Sequence, residues 1–115
     1  MVTPSLKSLS SPDLVAPHLP GDPGKCMVFL QAEIGPSNQP GAELFSFLVA
    51  TPGGLEGIEL PRWGRGLLIV REFSWEQVNQ SLSRLLAHAQ APTWAEVAAK
   101  LGKELQWEFD NYASK

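Results

Sequence analysis

The apolar residues of this chain repeat with one period before Ser74 and with another after it. Before Ser74 they come in short runs: KCMVFLQAEI over residues 25–34, ELFSFLVA over 43–50 and GLLIVREF over 66–73. Short apolar runs bounded by Gly, Pro, Ser and Asn read as strands. After Ser74, Trp75, Val78, Leu82, Leu85, Leu86 and Ala89 fall at helical spacing. Trp94, Val97, Ala98, Leu101 and Leu105 form a second such stripe. Side chains on one face recur every second residue in a strand and every three to four in a helix. Strands first and helices last, with no βαβ alternation, predict an α+β fold. The expected architecture is an antiparallel sheet of three to four strands, followed by two C-terminal amphipathic helices packed on one face.

The punctuation agrees. The turn formers GPSNQPG at 35–41 join the first two strands as a hairpin, and Thr51-Pro52-Gly53-Gly54 ends the second. Residues 55–65 are a Gly- and Pro-broken loop. Residues 67–70 are apolar on both faces, which suggests a central strand or one covered by helices. Ser74…Gln77 and Thr93…Glu96 have capping-box spacing, and Pro92 stops the first helix. Aromatics alternate over 107–112, as in a frayed helix end or a short strand.

Five of the ten prolines lie in the first 24 residues: Pro4, Pro12, Pro17, Pro20 and Pro23. Proline fixes φ and donates no hydrogen bond, so no helix or central strand runs through them. Residues 1–24 are therefore expected to form a Pro-rich N-terminal arm, with room for a short edge strand anchored by Leu6 and Leu9. Residues 25–115 are expected to form a single α+β domain. A chain of 115 residues fits one domain with one modest core. That leaves little space for a deep, enclosed active site.

Charge and cysteine content narrow the function classes. The net charge is −3. An acidic protein repels phosphate backbones, so nucleic acid is not the expected partner and a basic surface suits better. The single cysteine, Cys26, excludes an intramolecular disulfide and suits a reducing compartment. The first ten residues have no apolar segment of a signal peptide, and no apolar run approaches the ~20 residues of a membrane span. A cytoplasmic protein with no membrane partner is expected.

No catalytic set is recognisable. A nucleophile needs a nearby base held by a third group. The two histidines, His18 and His88, fall in the arm and near a helix end, where a cation is favoured. Cys26 reads as a small, buried hydrophobe. No ligand pair has metal-site spacing, so neither a metal nor another cofactor is expected. Glu104 and Glu108 stand at i,i+4, with Asp110 beyond. They read either as a solvated helix end or as the acid and base of a small carboxylate-dependent enzyme. Arg62-Trp63-Gly64-Arg65 reads either as a cap on the sheet or as an interface, where Trp and Arg are enriched.

Several phrases in order carry a likeness: Phe45-x-Phe47-x-Val49-x-Thr51-Pro52, Gly64-x-Gly66-Leu67-Leu68-Ile69-Val70, Thr93-Trp94-x-Glu96-Val97-Ala98-x-Lys100-Leu101 and Trp107-Glu108-Phe109-x-x-Tyr112. Ser11-Pro12-Asp13, Gly21-Asp22-Pro23 and Ile34-Gly35-Pro36 precede them. Together the chain resembles the immunity protein 8 family of bacterial polymorphic toxin systems. The resemblance implies a cytoplasmic α+β antidote, not an enzyme, that binds and neutralises a cognate protein toxin, often a nuclease. It transfers no contact residue. Exposed-loop position, charge and aromatic content nominate Glu56, Glu59, Trp63, Arg65, Glu108 and Asp110 as partner contacts. Beside an immunity protein stand two other readings, a small carboxylate enzyme and an interaction subunit of another complex.

Overall fold

A computed structural model describes residues 1–109. The elements, in chain order, are β1 (Pro4–Ser10), β2 (Met27–Pro36), β3 (Glu43–Ala50), α1 (Pro52–Leu55), β4 (Leu67–Ile69), α2 (Trp75–Ala87), α3 (Trp94–Leu101) and β5 (Gln106–Trp107). The sheet runs β1-β2-β3-β4, and β5 also pairs with β3. The α+β reading holds, with one correction to the sheet. β1, β2 and β3 are successive antiparallel neighbours, but β4 lies parallel to β3, so the sheet is mixed. Parallel pairing needs a crossover of about a dozen residues or more. Residues 51–66, which include α1, supply that return.

β4 is also not central. Among the described residues its one strand partner is β3, and Ile69 is 58% exposed. Only Leu68 of its three residues faces the core cluster, opposite Val49. Four apolar residues in a row did mark a strand, but two of the four look away from the helices.

Alternation builds the core. Val28, Leu30 and Ala32 of β2 stand opposite Val49, Phe47 and Phe45 of β3, and all six are buried. From α2 come Val78, Leu82 and Leu86, and from α3 come Val97, Ala98 and Leu101, into the same cluster. Burying each large side chain is worth about 1.5–3 kcal/mol relative to exposure.

Leu6 and Leu9 are three apart, so a regular strand would point them to opposite faces. A bulge at Lys7 resolves this. Leu6 pairs with Ile34 and Leu9 with Ala32, with the register shift between Leu6 and Ser8. Both leucines then pack against the core. Val2 bridges to Ala91, and the Trp75 indole N–H donates to the His18 carbonyl at 2.8 Å, so the first residues are tied to the helical layer.

Both helix starts are capped. Thr93 and Glu96 form the full reciprocal box. At α2 only half forms: the Ser74 hydroxyl accepts from Gln77 N–H, and no bond returns from the Gln77 side chain. His88 is the C-cap of α2, at the negative end of the helix dipole.

Candidate partner-binding face

The sheet face away from α2 and α3 carries an apolar row. Pairing registers set Phe29 beside Leu48 and Leu48 beside Leu67, one residue from each of three strands. All three are half-buried. The adjacent row is Met27, Ala50 and Ile69. On the other side lies the polar row Gln31, Ser46 and Gln106. In sequence, Phe29, Leu48 and Leu67 are apolar members of three separate strand runs. The signal that places them was present: Phe29 shares its alternation phase with Gln31 and Glu33, which mark that phase as outward.

The crossover between α1 and β4 runs beside this row. It contains the cis Leu60–Pro61 peptide and re-enters the sheet at Gly66, whose φ of +76° favours glycine. The Gly66 N–H donates to the Glu104 carbonyl at 2.9 Å, and its carbonyl accepts from Leu48 N–H at 2.8 Å. The loop is thereby pinned at its end while its tip stands out. Trp63 is 95% exposed and Leu60 74%. Trp63 and Arg62 line a hollow of about 140 Å³ together with Phe29, Leu48, Leu67 and Gln106.

Of the nominated residues the structure brings Trp63 and Arg65 together, and the others lie apart. Trp63 lies at the apolar row. Arg65 lines the same hollow as Trp63, while its Nε donates to the Gly102 carbonyl at 2.7 Å and its Nη2 to the Leu105 carbonyl at 3.3 Å, clamping the turn after α3. Glu56 is the C-cap of α1 and lines a shallow depression with Lys25, Cys26 and Met27, near the Ala50 end of β3. Glu59 is exposed in the crossover. Glu108 lies at the opposite end of β3. Its carboxylate accepts from Leu44 N–H, while its own N–H donates to the Leu44 carbonyl at 3.0 Å. Ends six residues apart along a strand are separated by roughly 20 Å. Glu56 and Glu108 therefore lie on opposite flanks of the apolar row, with the polar row between it and Glu108. Asp110 lies outside the described residues.

The helical Glu104–Glu108 pair is corrected. α3 stops at Leu101, and β5 intervenes between the two. Glu104 lies on the turn after α3, whereas Glu108 is bound to the start of β3. Among the described residues no group of three or more His, Cys, Asp or Glu side chains is placed to hold a metal ion. Nor is any helix among them long and apolar enough to cross a membrane.

Cys26 packs against the core, and its Sγ lies 3.6 Å from the Pro23 carbonyl. Burial, and secondarily the Asp22 carboxylate, push its thiol above the ordinary value. The native state thus keeps a proton that the unfolded chain releases above roughly pH 8.5. The contribution of Cys26 to stability is complete below that pH and falls as pH rises through it. The thiolate is the nucleophile, so iodoacetamide is expected to label Cys26 several-fold more slowly than free cysteine at pH 8. Intact mass against time measures this. Labelling as fast as free cysteine would contradict it.

A family model described as Immunity protein 8 matches residues 4–112. No curated protein and no solved structure matches the chain.

Proposed function

This chain belongs to the Immunity protein 8 family, and from that premise we propose that it neutralises a cognate protein toxin by stoichiometric binding, docking the toxin on the helix-free face of its sheet. The observation that carries the choice of face is the row Phe29, Leu48 and Leu67 beside the 95% exposed Trp63. An exposed tryptophan next to apolar surface has the chemistry of an interface hot spot. Protein interfaces combine an apolar centre with a polar rim. Here Glu56, Glu59 and Glu108 supply an acidic rim, which together with the net charge of −3 suits a basic toxin surface. Blocking needs no cofactor and no bond chemistry from this chain. It needs a shaped surface that outcompetes the toxin's target. The same acidic rim steers encounter, so association slows as salt screens it. The compartment that fits is the cytoplasm, where Cys26 stays reduced.

Trp63→Ala tests the face. The expected result is binding to the cognate toxin weakened about 30-fold, as loss of a ~2 kcal/mol hot spot would give. The melting temperature should stay within about 2 °C, since so exposed a side chain adds little to the core. Calorimetric titration and a thermal melt measure both. Unchanged toxin affinity would move the docking surface elsewhere.

A further inference from the structure

The outer edge of β3 is shared by two short strands. β5 covers Phe45 and Ser46, and β4 covers Leu48 to Ala50, leaving a notch at Phe47. On the helix side of that notch opens a hollow of about 250 Å³, between α2 and the turn after α3. Its walls include Phe47, Leu68, Leu82, Leu85 and Leu105, and Glu104 and Ser81 also line it. Glu104 is set there by its backbone: its N–H donates to the Leu101 carbonyl and its carbonyl accepts from Gly66 N–H. Neither the Glu104 carboxylate nor the Ser81 hydroxyl is among the hydrogen-bonded side chains of residues 1–109.

We propose that this hollow receives a lysine or arginine side chain of the partner toxin, its aliphatic stem against the leucines and its cationic head on Glu104. This assignment rests on the antidote reading above and names the complementary group that the toxin presents. Size supports it: small-molecule pockets run to about 300–1,000 Å³, so this hollow suits one long side chain better than a cofactor. Charge decides between occupants. A purely aliphatic side chain would cover the carboxylate without pairing it, and an unpaired buried charge is costly. A cation with a methylene stem satisfies both the walls and the mouth. The hollow also shares Phe47 and Leu67 with the one beside Trp63, so one partner surface can span the notch and reach both. Of the chain's own cations near the hollow, Arg65 is held on the Gly102 and Leu105 carbonyls, and Arg84 lines an adjoining hollow that shares Leu68 and Ser81 with this one.

The test has two arms. In the first, n-butylguanidinium is titrated into the labelled protein and amide shifts are followed by NMR. Saturable shifts are expected at Ser81, Leu82, Leu85 and Leu105, with n-butanol binding at least fivefold more weakly. Glu104→Gln should weaken the guanidinium about three- to tenfold with an otherwise unchanged spectrum, as loss of one partly solvated charged hydrogen bond would. Equal binding of the alcohol, or no shifts at these residues, overturns the assignment. In the second arm, Glu104→Lys should cut affinity for the cognate toxin at least tenfold, while Glu76→Lys on the exposed start of α2 leaves it near wild type. Equal effects of the two substitutions also overturn it. If the wild-type protein does not bind the toxin, the antidote reading fails, and the guanidinium titration still judges the hollow.

Discussion

Gly54→Ala is expected to lower the stability of the protein by about 3 kcal/mol and its melting temperature by roughly 10–15 °C. A Cβ on Gly54 would lie 2.0 Å from the Cys26 carbonyl oxygen and 2.6 Å from its carbon. Those are backbone atoms of the segment entering β2, so no rotamer change relieves the clash. The same carbonyl accepts from Thr51 N–H at 3.1 Å and lies 3.4 Å from the Thr51 hydroxyl. Thr51 is fully buried, and its hydroxyl oxygen also accepts from the Cys26 and Gly54 N–H groups, each at 3.0 Å. Moving α1 away from β2 therefore breaks a hub of buried hydrogen bonds, each worth about 0.5–1.5 kcal/mol. Gly57→Ala is the control, because a Cβ there meets nothing within 4 Å. Thermal melts followed by circular dichroism compare them. Equal melting temperatures for the two variants would show that α1 and β2 are not packed as closely as described.

Glu43→Leu is expected to cost about 2–4 kcal/mol, with Glu43→Gln losing about 1 kcal/mol or less. One Glu43 oxygen accepts from the Trp94 indole N–H and from the Trp107 indole N–H, the latter at 3.2 Å. Trp94 opens α3 and Trp107 lies in β5, so a single carboxylate fastens both to the start of β3. Trp107 also stacks on Phe45, with ring centroids 6.3 Å apart. Leucine offers no acceptor, and a partly buried donor deprived of its partner costs about 1–3 kcal/mol. Glutamine keeps a carbonyl oxygen. Urea titration with tryptophan emission reads both the midpoint and the exposure of the indoles. Equal midpoints for Leu and Gln would mean that the bonds to the carboxylate contribute nothing.

Local chemistry was legible, and pairing was not. Thr93 and Glu96 announced a capped helix because every partner in that motif lies within four residues. The inward phase of β2 could be read from its alternation. Glu43 looked like a polar strand start, because its two partners lie 51 and 64 residues away. The parallel placement of β4 was hidden for the same reason: Leu67 to Ile69 suit either strand direction, and the return is made by a crossover with no helix of length. Glu104 and Glu108 misled because i,i+4 spacing means a shared face only while the helix continues. Of the proposed binding face, Trp63 was visible as an aromatic between arginines. Phe29 and Leu48 needed the register to bring them beside it.

The divided edge of β3 has a consequence for when the protein becomes competent during synthesis. β1, β2 and β3 can pair as soon as residue 50 has cleared the ribosome. The far side of β3 waits for the strand ending at Trp107, whose partner Phe45 was made 62 residues earlier. Contacts so distant in sequence form late and slowly. Until then the notch has one wall only, and neither Glu104 nor Trp107 is in place. A nascent chain of this protein thus lacks the completed edge of β3 until it has been made at least through β5.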